Sequence, residues 1–338
     1  MSAPQTPLRI ALIGAGAIGR VHAEAIRLAR GVELIAVCDA DAESARRVAL
    51  ENGTRSYTSF FALAQEESPD AVVVATPPNT HRSIAEFFAS RAIHVLCEKP
   101  FATDVAGARS MIACAKNAGS IVSMASKFRF VTDVRAAREA IAAGKIGELR
   151  SIDVAFTSRV DMRSRWNGDR EIAGGGVIID NGTHAMDIFR YIGGPLSSVR
   201  ATEPVRHQDI AVEDTATVCA RFGAGGVATA DLSWSLDKRL TQYLRICGDD
   251  GAIELGWAGS RMKTAADSQW VEFGSGYAKM RAFVGVIENF AGAIRGENAL
   301  EVTAADALAS VEAVDAAYAS LRFNMWIEVG AGTMVEVA

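Results

Sequence analysis

Over the first third of the chain, short apolar runs rich in β-branched residues alternate with amphipathic stretches. The apolar runs are LRIALI (8–13), ELIAVC (33–38), AVVVA (71–75), IHVLC (93–97) and IVSM (121–124). The stretches between them, at 18–29, 42–51, 82–90 and 105–117, space their apolar residues as helices do. Near-continuous apolar strands separated by helices are typical of a parallel sheet that is covered on both faces. The pattern predicts a doubly wound α/β domain over residues 1–123.

From residue 124 onward the rhythm changes to alternating apolar and polar positions between tight turns. A helix at 131–143 and a strand at 149–158 precede the alternating segments, which are VRATEP, TATVCARF, GVATADLSWSL, QYLRICGDDGAIEL and QWVEF. Turns such as GAGG and DDG separate several of them, and helices at 279–295 and 303–321 and a short strand, WIEV, follow. Such alternation is typical of antiparallel meanders. Residues 124–338 are therefore predicted to form a compact α+β domain on a largely antiparallel sheet.

Composition and charge exclude several classes of protein. The 338 residues carry a net charge of -5 and a pI near 5.7, whereas a nucleic-acid-binding protein needs a basic face. No apolar run approaches the roughly 20 residues that span a bilayer, and no cationic leader opens the chain. The 5 cysteines stand singly, which suits neither a disulfide framework nor a zinc site. We expect a cytoplasmic protein with reduced thiols and no bound metal.

A glycine-rich motif, GAGAIG, stands directly between the first predicted strand and the first helix. In such a turn Gly14 permits the tight bend, Gly16 lets the backbone approach a pyrophosphate, and Gly19 packs the helix on the strand. The helix N-terminus, with Ala17 and Ile18, offers N–H groups to that anion. The motif alone is weak, but its strand–helix setting and the acidic Asp39 after the second strand predict a dinucleotide site.

Asp39 also indicates which dinucleotide binds. A carboxylate at this position accepts hydrogen bonds from the ribose hydroxyls and repels a 2′-phosphate. The residues that follow, Ala40 and Asp41, offer no cation to neutralise a phosphate, and Arg46 and Arg47 read as a solvated helix face. The sequence therefore favours NAD over NADP.

Two further strand ends carry polar residues, in ATPPNTH (75–81) and CEKP (97–100). Ligands of open α/β sheets bind beyond the carboxyl ends of the strands, so we expect both loops to line the nicotinamide crevice. The residues predicted to contact the cofactor there are Thr76, Pro77, Asn79, His81, Glu98 and Lys99. Lys99, held between a strand end and a proline, is also suited to bind a substrate oxygen; its alternative is an exposed surface lysine.

The stretch GGGVIIDNGTHAMD (174–187) places a carboxylate and an imidazole one helical turn apart, after three consecutive glycines. On a continuous helix Asp180 and His184 share one face, and Asp187 and Tyr191 continue their polar stripe. A mid-helix Gly182 indicates close approach of another group. Three interpretations of the Asp180–His184 pair are open: it is catalytic, it is purely structural, or it binds a metal ion. The sequence shows no third and fourth metal ligand at a recognisable spacing.

Taken in order and spacing, GAGAIG, Asp39, TPPNTH, CEKP and GGGVIIDNGTHAMD resemble the glucose–fructose oxidoreductase/inositol dehydrogenase/MocA family of nicotinamide oxidoreductases. The resemblance implies a Rossmann domain followed by a domain whose open sheet mediates formation of a homodimer or homotetramer. It implies that Lys99, Asp180 and His184 match the catalytic lysine and Asp–His pair, that the Lys99–Pro100 peptide is cis, and that the glycines pass close to the nicotinamide. One departure is Asn167, where many members carry an arginine after a tryptophan.

The resemblance implies a hydride transfer between NAD and a CH–OH carbon of a sugar, inositol or related polyol. His184 takes the hydroxyl proton, Asp180 orients the imidazole, and Lys99 binds the reacting oxygen. Basic residues at 127, 129, 163 and 165 are either contacts to an acidic sugar or ion-paired surface residues. The predicted substrate contacts are Lys127, Arg129, Trp166, Asn167 and Asn181.

Three other functions remain open at this point. An NAD-dependent glycosidase that oxidises its substrate transiently would release free sugar with no net NADH. A regulator would bind NAD without turnover. An NADP-linked dihydrodiol or carbonyl reductase would bind NADP more tightly than NAD, which a cofactor titration would measure.

Overall fold

The computed structural model describes residues 6–223 and 225–330, which form two compact units. The first unit holds the described residues up to Phe130 together with Lys279–Leu308, and the second holds Val131–Ala278 with the described residues from Ala309 onward. The segment Lys279–Leu308 thus belongs to the first unit, although the predicted domain boundary assigns it to the second. Ala224 of the predicted GAGG turn lies outside the described residues, as do residues 1–5, for which no cationic leader is expected.

A parallel sheet forms the centre of the first unit. Its strands are β1 (Leu8–Ile13), β2 (Val32–Cys38), β3 (Arg55–Tyr57), β4 (Ala71–Val74), β5 (His94–Cys97) and β6 (Val122–Met124). They lie in the order β3-β2-β1-β4-β5-β6, with every pair parallel. This is the strand order of a doubly wound dinucleotide-binding fold, so the predicted class is confirmed. Strand β3 was not predicted, because the three residues of this strand form no apolar run.

Helices of the first unit connect these strands. They are α1 (Ala17–Leu28), α2 (Ala42–Glu51), α3 (Phe60–Glu67), α4 (His81–Ala89) and α5 (Val105–Ala118). Of these, α3 was not predicted. The chain returns after residue 278 with a long helix, Lys279–Ile294, which packs against α1.

A mixed sheet forms the centre of the second unit. Its strands are β7 (Leu149–Thr157), β8 (Leu196–Thr202), β9 (Thr215–Phe222), β10 (Gly226–Ser233), β11 (Gln242–Gly248), β12 (Gly251–Gly256), β13 (Ser260–Thr264), β14 (Val271–Phe273) and β15 (Ile327–Glu328). Only β7 and β10 pair in parallel among the strands described, so the predicted antiparallel character is confirmed. Along β9 and β10, buried residues alternate with exposed or half-exposed ones, which leaves one face of these strands accessible.

The helices of this unit include one correction to the sequence analysis. In chain order the helices are α6 (Thr132–Ala142), α7 (Arg170–Ala173), α8 (Thr183–Gly193), α9 (Lys279–Ile294, of the first unit) and α10 (Ala304–Phe323). The predicted continuous helix after the glycines is instead a π-helical turn, Ile178–Gly182, that runs into α8.

The predicted division of this segment into a polar and a buried stripe is wrong. Asp187 is completely buried and Tyr191 nearly so, because α8 lies against β7, β8 and β10 and is enclosed on most sides.

No helix within the described residues has the length and apolarity that crossing a membrane requires. All 5 cysteines are free thiols: Cys38 and Cys97 are buried, and the others are half-buried. Burial, aided by the neighbouring Asp39 carboxylate, raises the pKa of Cys38 to about 12, so this thiol stays protonated.

Candidate active site

The glycine turn of the first unit has the geometry that its sequence predicts. Gly14 has a φ of 102°, and a Cβ there would collide with the backbone of Ala75. A Cβ on Gly19 would collide with the carbonyl oxygen of Gly14, so helix and strand touch at this point. By contrast, nothing lies within 4 Å of a Cβ built on Gly16. Gly16 is also the N-cap of α1 without any side-chain cap, so the helix N-terminus presents its N–H groups at an open, exposed surface.

Asp39 follows β2 at the same edge of the sheet. Its Oδ2 accepts a hydrogen bond from Ala15 N at 2.6 Å, and its Oδ1 accepts one from Asp41 N at 2.9 Å. These bonds fix the carboxylate beside the glycine turn, where a ribose would follow the pyrophosphate. Arg46 and Arg47 are exposed on α2, as a solvated helix face would be.

The loop after β4 divides the predicted cofactor residues into accessible and inaccessible ones. Thr76 and Pro77 are half-buried and Asn79 is exposed. The His81 side chain is completely buried, and its Nδ1 and Nε2 each lie 2.9 Å from a carbonyl oxygen, of Pro100 and Thr76 respectively. Burial lowers the pKa of His81 despite these carbonyl contacts. The ring therefore joins two loops of the site, and its side chain is not free to reach a cofactor.

Glu98 and Lys99 follow β5, beside a buried histidine that the sequence did not indicate. Glu98 Oε1 lies 2.7 Å from Nε2 of His22, and Glu98 Oε2 accepts a hydrogen bond from the Lys99 backbone N–H at 3.0 Å. Burial alone would raise the pKa of Glu98, but the hydrogen bond and charge of His22, with Lys99 and Lys127, hold it below its usual value. The Lys99–Pro100 peptide is cis, as the family resemblance implies. Lys99 is half-buried, so it is not the fully exposed lysine of the alternative interpretation.

The other basic residues of this unit take different positions. Arg129 is only 4% exposed; its guanidinium pairs with Asp306 at 3.2 Å and donates to the Glu301 carbonyl. This is the ion-paired alternative that the sequence left open, not a cation free for an acidic sugar. Lys127 is half-buried, with its Nζ 5.7 Å from the ring centre of Phe283.

In the second unit, two of the three consecutive glycines serve close packing and the first ends a helix. Gly174 has a φ of 83° and ends α7. A Cβ on Gly175 would collide with the hydroxyl of Tyr318, and one on Gly176 would collide with the carbonyl oxygen of Glu213. These contacts within the unit account for Gly175 and Gly176, and close passage of the nicotinamide stays a prediction.

Asp180 and His184 follow these glycines, on the π-helical turn and on α8 respectively. Asp180 is half-buried, and His184 is 7% exposed. The His184 ring lies edge-on to Phe156, with 6.3 Å between the ring centres. Gly182 lies between them and faces Leu232, whose Cδ1 would be 3.1 Å from an added Cβ, so this glycine also serves packing.

Phe156 begins an aromatic cluster that extends from His184 to an exposed surface. Tyr243, Trp257 and Tyr277 complete it, with ring centres 4.7 Å apart between Tyr243 and Trp257 and 5.6 Å apart between Trp257 and Tyr277. The Trp257 indole is 44% exposed. Phe156 and Tyr243 are buried, so the cluster reaches the surface at Trp257.

The remaining predicted substrate contacts lie on or near the loop after β7. Trp166 is 43% exposed and Asn167 is half-buried, in a short 3-10 turn. Asn181 donates through Nδ2 to the carbonyl oxygen of Phe156 at 3.4 Å. Arg163 donates two side-chain hydrogen bonds to the Asp161 carboxylate, and Arg165 is exposed.

Among residues 6–223 and 225–330, no three His, Cys, Asp or Glu side chains are grouped so that they could hold a metal ion.

Comparison with known proteins extends over both units. The family model described as "Oxidoreductase family, NAD-binding Rossmann fold" matches residues 8–126, and the GFO/IDH/MocA C-terminal domain matches residues 134–254. D-apiose dehydrogenase of Paraburkholderia graminis is 28% identical over 94% of this chain and 89% of its own length. Inositol 2-dehydrogenase of Rhizobium meliloti is also 28% identical, over 95% of this chain and 99% of its own.

Solved structures include a similar protein with its cofactor. GenD2 from gentamicin A biosynthesis, in complex with NAD, is 27% identical and covers 98% of each chain with a TM-score of 0.85. The fold of that NAD complex matches the fold of this chain, and the two family models match residues in both units. The open glycine turn beside Asp39 has the geometry expected of an NAD-binding site. The chain therefore belongs to the GFO/IDH/MocA family and is an NAD-dependent oxidoreductase.

Proposed function

We propose that this enzyme transfers a hydride between NAD and a CH–OH carbon of a sugar, inositol or related polyol. The observation that carries the proposal is the match of both halves of the chain to one family whose members include apiose and inositol dehydrogenases. The substrate contacts proposed for this chain are Lys127, Trp166, Asn167 and Asn181.

The first unit would hold the cofactor. The open N-terminus of α1, with Gly16, Ala17 and Ile18, receives the pyrophosphate, and Asp39 accepts hydrogen bonds from the ribose hydroxyls. The loops after β4 and β5, with Thr76, Pro77, Asn79 and Glu98, line the nicotinamide end. Bound nicotinamide supplies the hydride chemistry. No cation faces a 2′-phosphate from the first turn of α2, which favours NAD over NADP.

The protein's own side chains then handle the hydroxyl proton. When the alcohol is oxidised, His184 accepts that proton at a ring nitrogen, and it returns the proton in the reverse direction. Asp180 stabilises the resulting imidazolium. Lys99 donates a hydrogen bond to the reacting oxygen as a compact cation, and the buried Glu98 fixes its backbone.

Two further properties are proposed with this function. We propose a cytoplasmic enzyme that forms a homodimer or homotetramer through the sheet of the second unit, whose β9 and β10 expose alternate residues.

A substrate panel tests the function. Purified enzyme is mixed with NAD and a set of polyols, aldoses and inositols, and absorbance of the reduced nicotinamide is followed. We expect NADH to accumulate with at least one of them. Release of free sugar from glycosides without net NADH would identify a glycosidase instead, and NAD binding without turnover of any compound would identify a regulator.

A further inference from the structure

The segment that carries Asp180 and His184 begins with four backbone N–H groups, and all four are bound by two residues from distant parts of the chain. An ordinary helix leaves its first N–H groups without partners in the helix. Here the acceptors are Glu213, which precedes β9, and Tyr318 on α10. The bonds are Gly176 N to Glu213 Oε1 and to Tyr318 Oη (both 3.1 Å), Val177 N to Glu213 O (2.9 Å), Ile178 N to Glu213 Oε1 (3.1 Å) and Ile179 N to Tyr318 Oη (3.3 Å). The next N–H, of Asp180, donates to Gly176 O at 3.0 Å and begins the helix.

The two acceptors are joined to each other. The Tyr318 hydroxyl donates to Glu213 Oε1 at 2.7 Å, so the hydroxyl is donor to the carboxylate and acceptor from the backbone at once. Glu213 is 1% exposed. Burial raises the pKa of Glu213 even though its hydrogen bonds favour the carboxylate, and burial also raises the pKa of Tyr318. Such a buried network holds a single arrangement only while every member is satisfied.

The glycines are part of this arrangement. Because a Cβ at Gly175 or Gly176 would collide with Tyr318 or Glu213, neither acceptor could approach the backbone of another residue type so closely. Both glycines therefore allow the hydrogen bonds that begin the segment.

The anchored turn is π-helical. π-helical turns are rare and frequently lie at functional sites. We propose that Glu213 and Tyr318 are positioning residues, which fix the start of the π-turn and so the placement of the Asp180 carboxylate and the His184 imidazole. This inference rests on the proposed function, in which those two side chains handle the proton.

Tyr318→Phe tests the inference. It keeps the buried ring, removes only the hydroxyl, and leaves the Ile179 N–H without its acceptor. Since small displacements of a reacting group cost up to about a hundredfold in rate, we expect kcat to fall roughly ten- to hundredfold. The Kd for NAD should stay unchanged, because the cofactor residues proposed above belong to the first unit.

Ser320→Ala is the matched control on the same helix. The Ser320 hydroxyl is also buried; it accepts from Ala201 N at 3.0 Å and donates to the carbonyl of Met325, away from the π-turn. Both variants should lose thermal stability, but only Tyr318→Phe should lose kcat. Equal kcat in the two variants would overturn the inference.

Glu213 supplies a second test in case Tyr318→Phe fails to fold. Glu213→Gln keeps an amide oxygen that accepts the Gly176 and Ile178 N–H groups, whereas Glu213→Ala keeps none. We expect Glu213→Gln to retain much more of kcat than Glu213→Ala, with the same Kd for NAD. Similar loss of kcat in both, or none in either, would contradict a positioning role.

A double-mutant cycle separates this inference from the proposed function. If Tyr318 acts through Asp180, Tyr318→Phe should cost much less in an Asp180→Asn background than in the wild type. Unchanged turnover of Asp180→Asn itself would overturn the proposed proton chemistry. A slow Asp180→Asn enzyme in which Tyr318→Phe still lowers kcat by its full factor would overturn the positioning of Asp180 by Tyr318 and leave the proposed proton chemistry intact.

Discussion

At the scale of single residues, the proposed chemistry depends on a few polar groups that neighbouring residues hold in place by hydrogen bonds. The Asp39 carboxylate is held by two backbone N–H groups beside the open glycine turn. The Lys99 backbone is held by Glu98, which is itself paired with the buried His22. These groups are placed before any ligand arrives, as binding without reorganisation requires.

Replacement of Asp39 should change cofactor preference. Asp39→Ala removes the acceptor for the ribose hydroxyls, and since a hydrogen bond to a charged group contributes about 1.5–3 kcal/mol, NAD should bind roughly ten- to a hundredfold more weakly. NADP binding should change little. Asp41→Ala is the control: it removes the carboxylate that caps α2 and should lower stability without altering the ratio of the two affinities. A wild-type enzyme that already prefers NADP would contradict the ribose argument.

Replacement of Lys99 should slow the hydride step. Lys99→Ala should reduce kcat by the ~10²–10⁴-fold typical of a group that assists proton transfer. Lys99→Arg should not restore activity, because a planar guanidinium does not replace a compact ammonium. Lys116→Ala, on the exposed side of α5, should behave as the wild type. Full activity of Lys99→Arg would show that any cation suffices at this position.

At the scale of elements, the site depends on how two helices begin. The N-terminus of α1 is left open at Gly16, whereas the π-turn before α8 is closed by Glu213 and Tyr318. The two glycine motifs therefore differ in their role. Gly16 of the first motif leaves space for a ligand, whereas Gly175 and Gly176 of the second motif let protein atoms approach the backbone closely.

Alanine substitutions at the two motifs should separate binding from stability. Gly176→Ala inserts a methyl group against the Glu213 carbonyl, and such overpacking typically costs about 1–3 kcal/mol, so the melting temperature should fall. Gly16→Ala meets no protein atom and should leave the melting temperature nearly unchanged while weakening NAD binding. Gly259→Ala, at another open position, should change neither. Normal NAD affinity in Gly16→Ala would contradict the pyrophosphate assignment.

The elements also show what the sequence could predict. The strand–glycine–helix unit and Asp39 are local in the chain, so their pattern sufficed. Glu213 and Tyr318 are distant in sequence from the glycines that they contact, and nothing in the spacing of GGGVIIDNGTHAMD indicates them. The π-turn was missed because a one-residue change in the helical ladder leaves the apolar periodicity almost intact, and His22 because a histidine on a buried helix face has no distinguishing pattern.

At the scale of the whole molecule, the sheet of the second unit exposes one face along β9 and β10. Val227 is 40% exposed there and is paired with Arg221 across the strands, while Thr229 and Asp231 continue the same face on β10. A mixed face of this kind suits an interface between copies of the chain, as proposed above.

A charge on that face should dissociate the oligomer. Val227→Asp places a carboxylate that must lose its water if the face is an interface, and we expect the mass measured by light scattering to fall to that of a smaller assembly. Leu50→Asp is the control, since Leu50 is 70% exposed on α2 of the first unit and should leave the mass unchanged. An unaltered mass for Val227→Asp would place the interface elsewhere.

The central claim is that His184 accepts the hydroxyl proton of a sugar or polyol during hydride transfer to NAD. The most direct measurement compares wild type and His184→Ala with the best substrate of the panel, by following NADH formation and by titrating NAD separately. Because general bases contribute about 10²–10⁴-fold, kcat should fall by that factor while the Kd for NAD stays within error of the wild type. A His184→Ala enzyme that turns over at the wild-type rate would contradict the account.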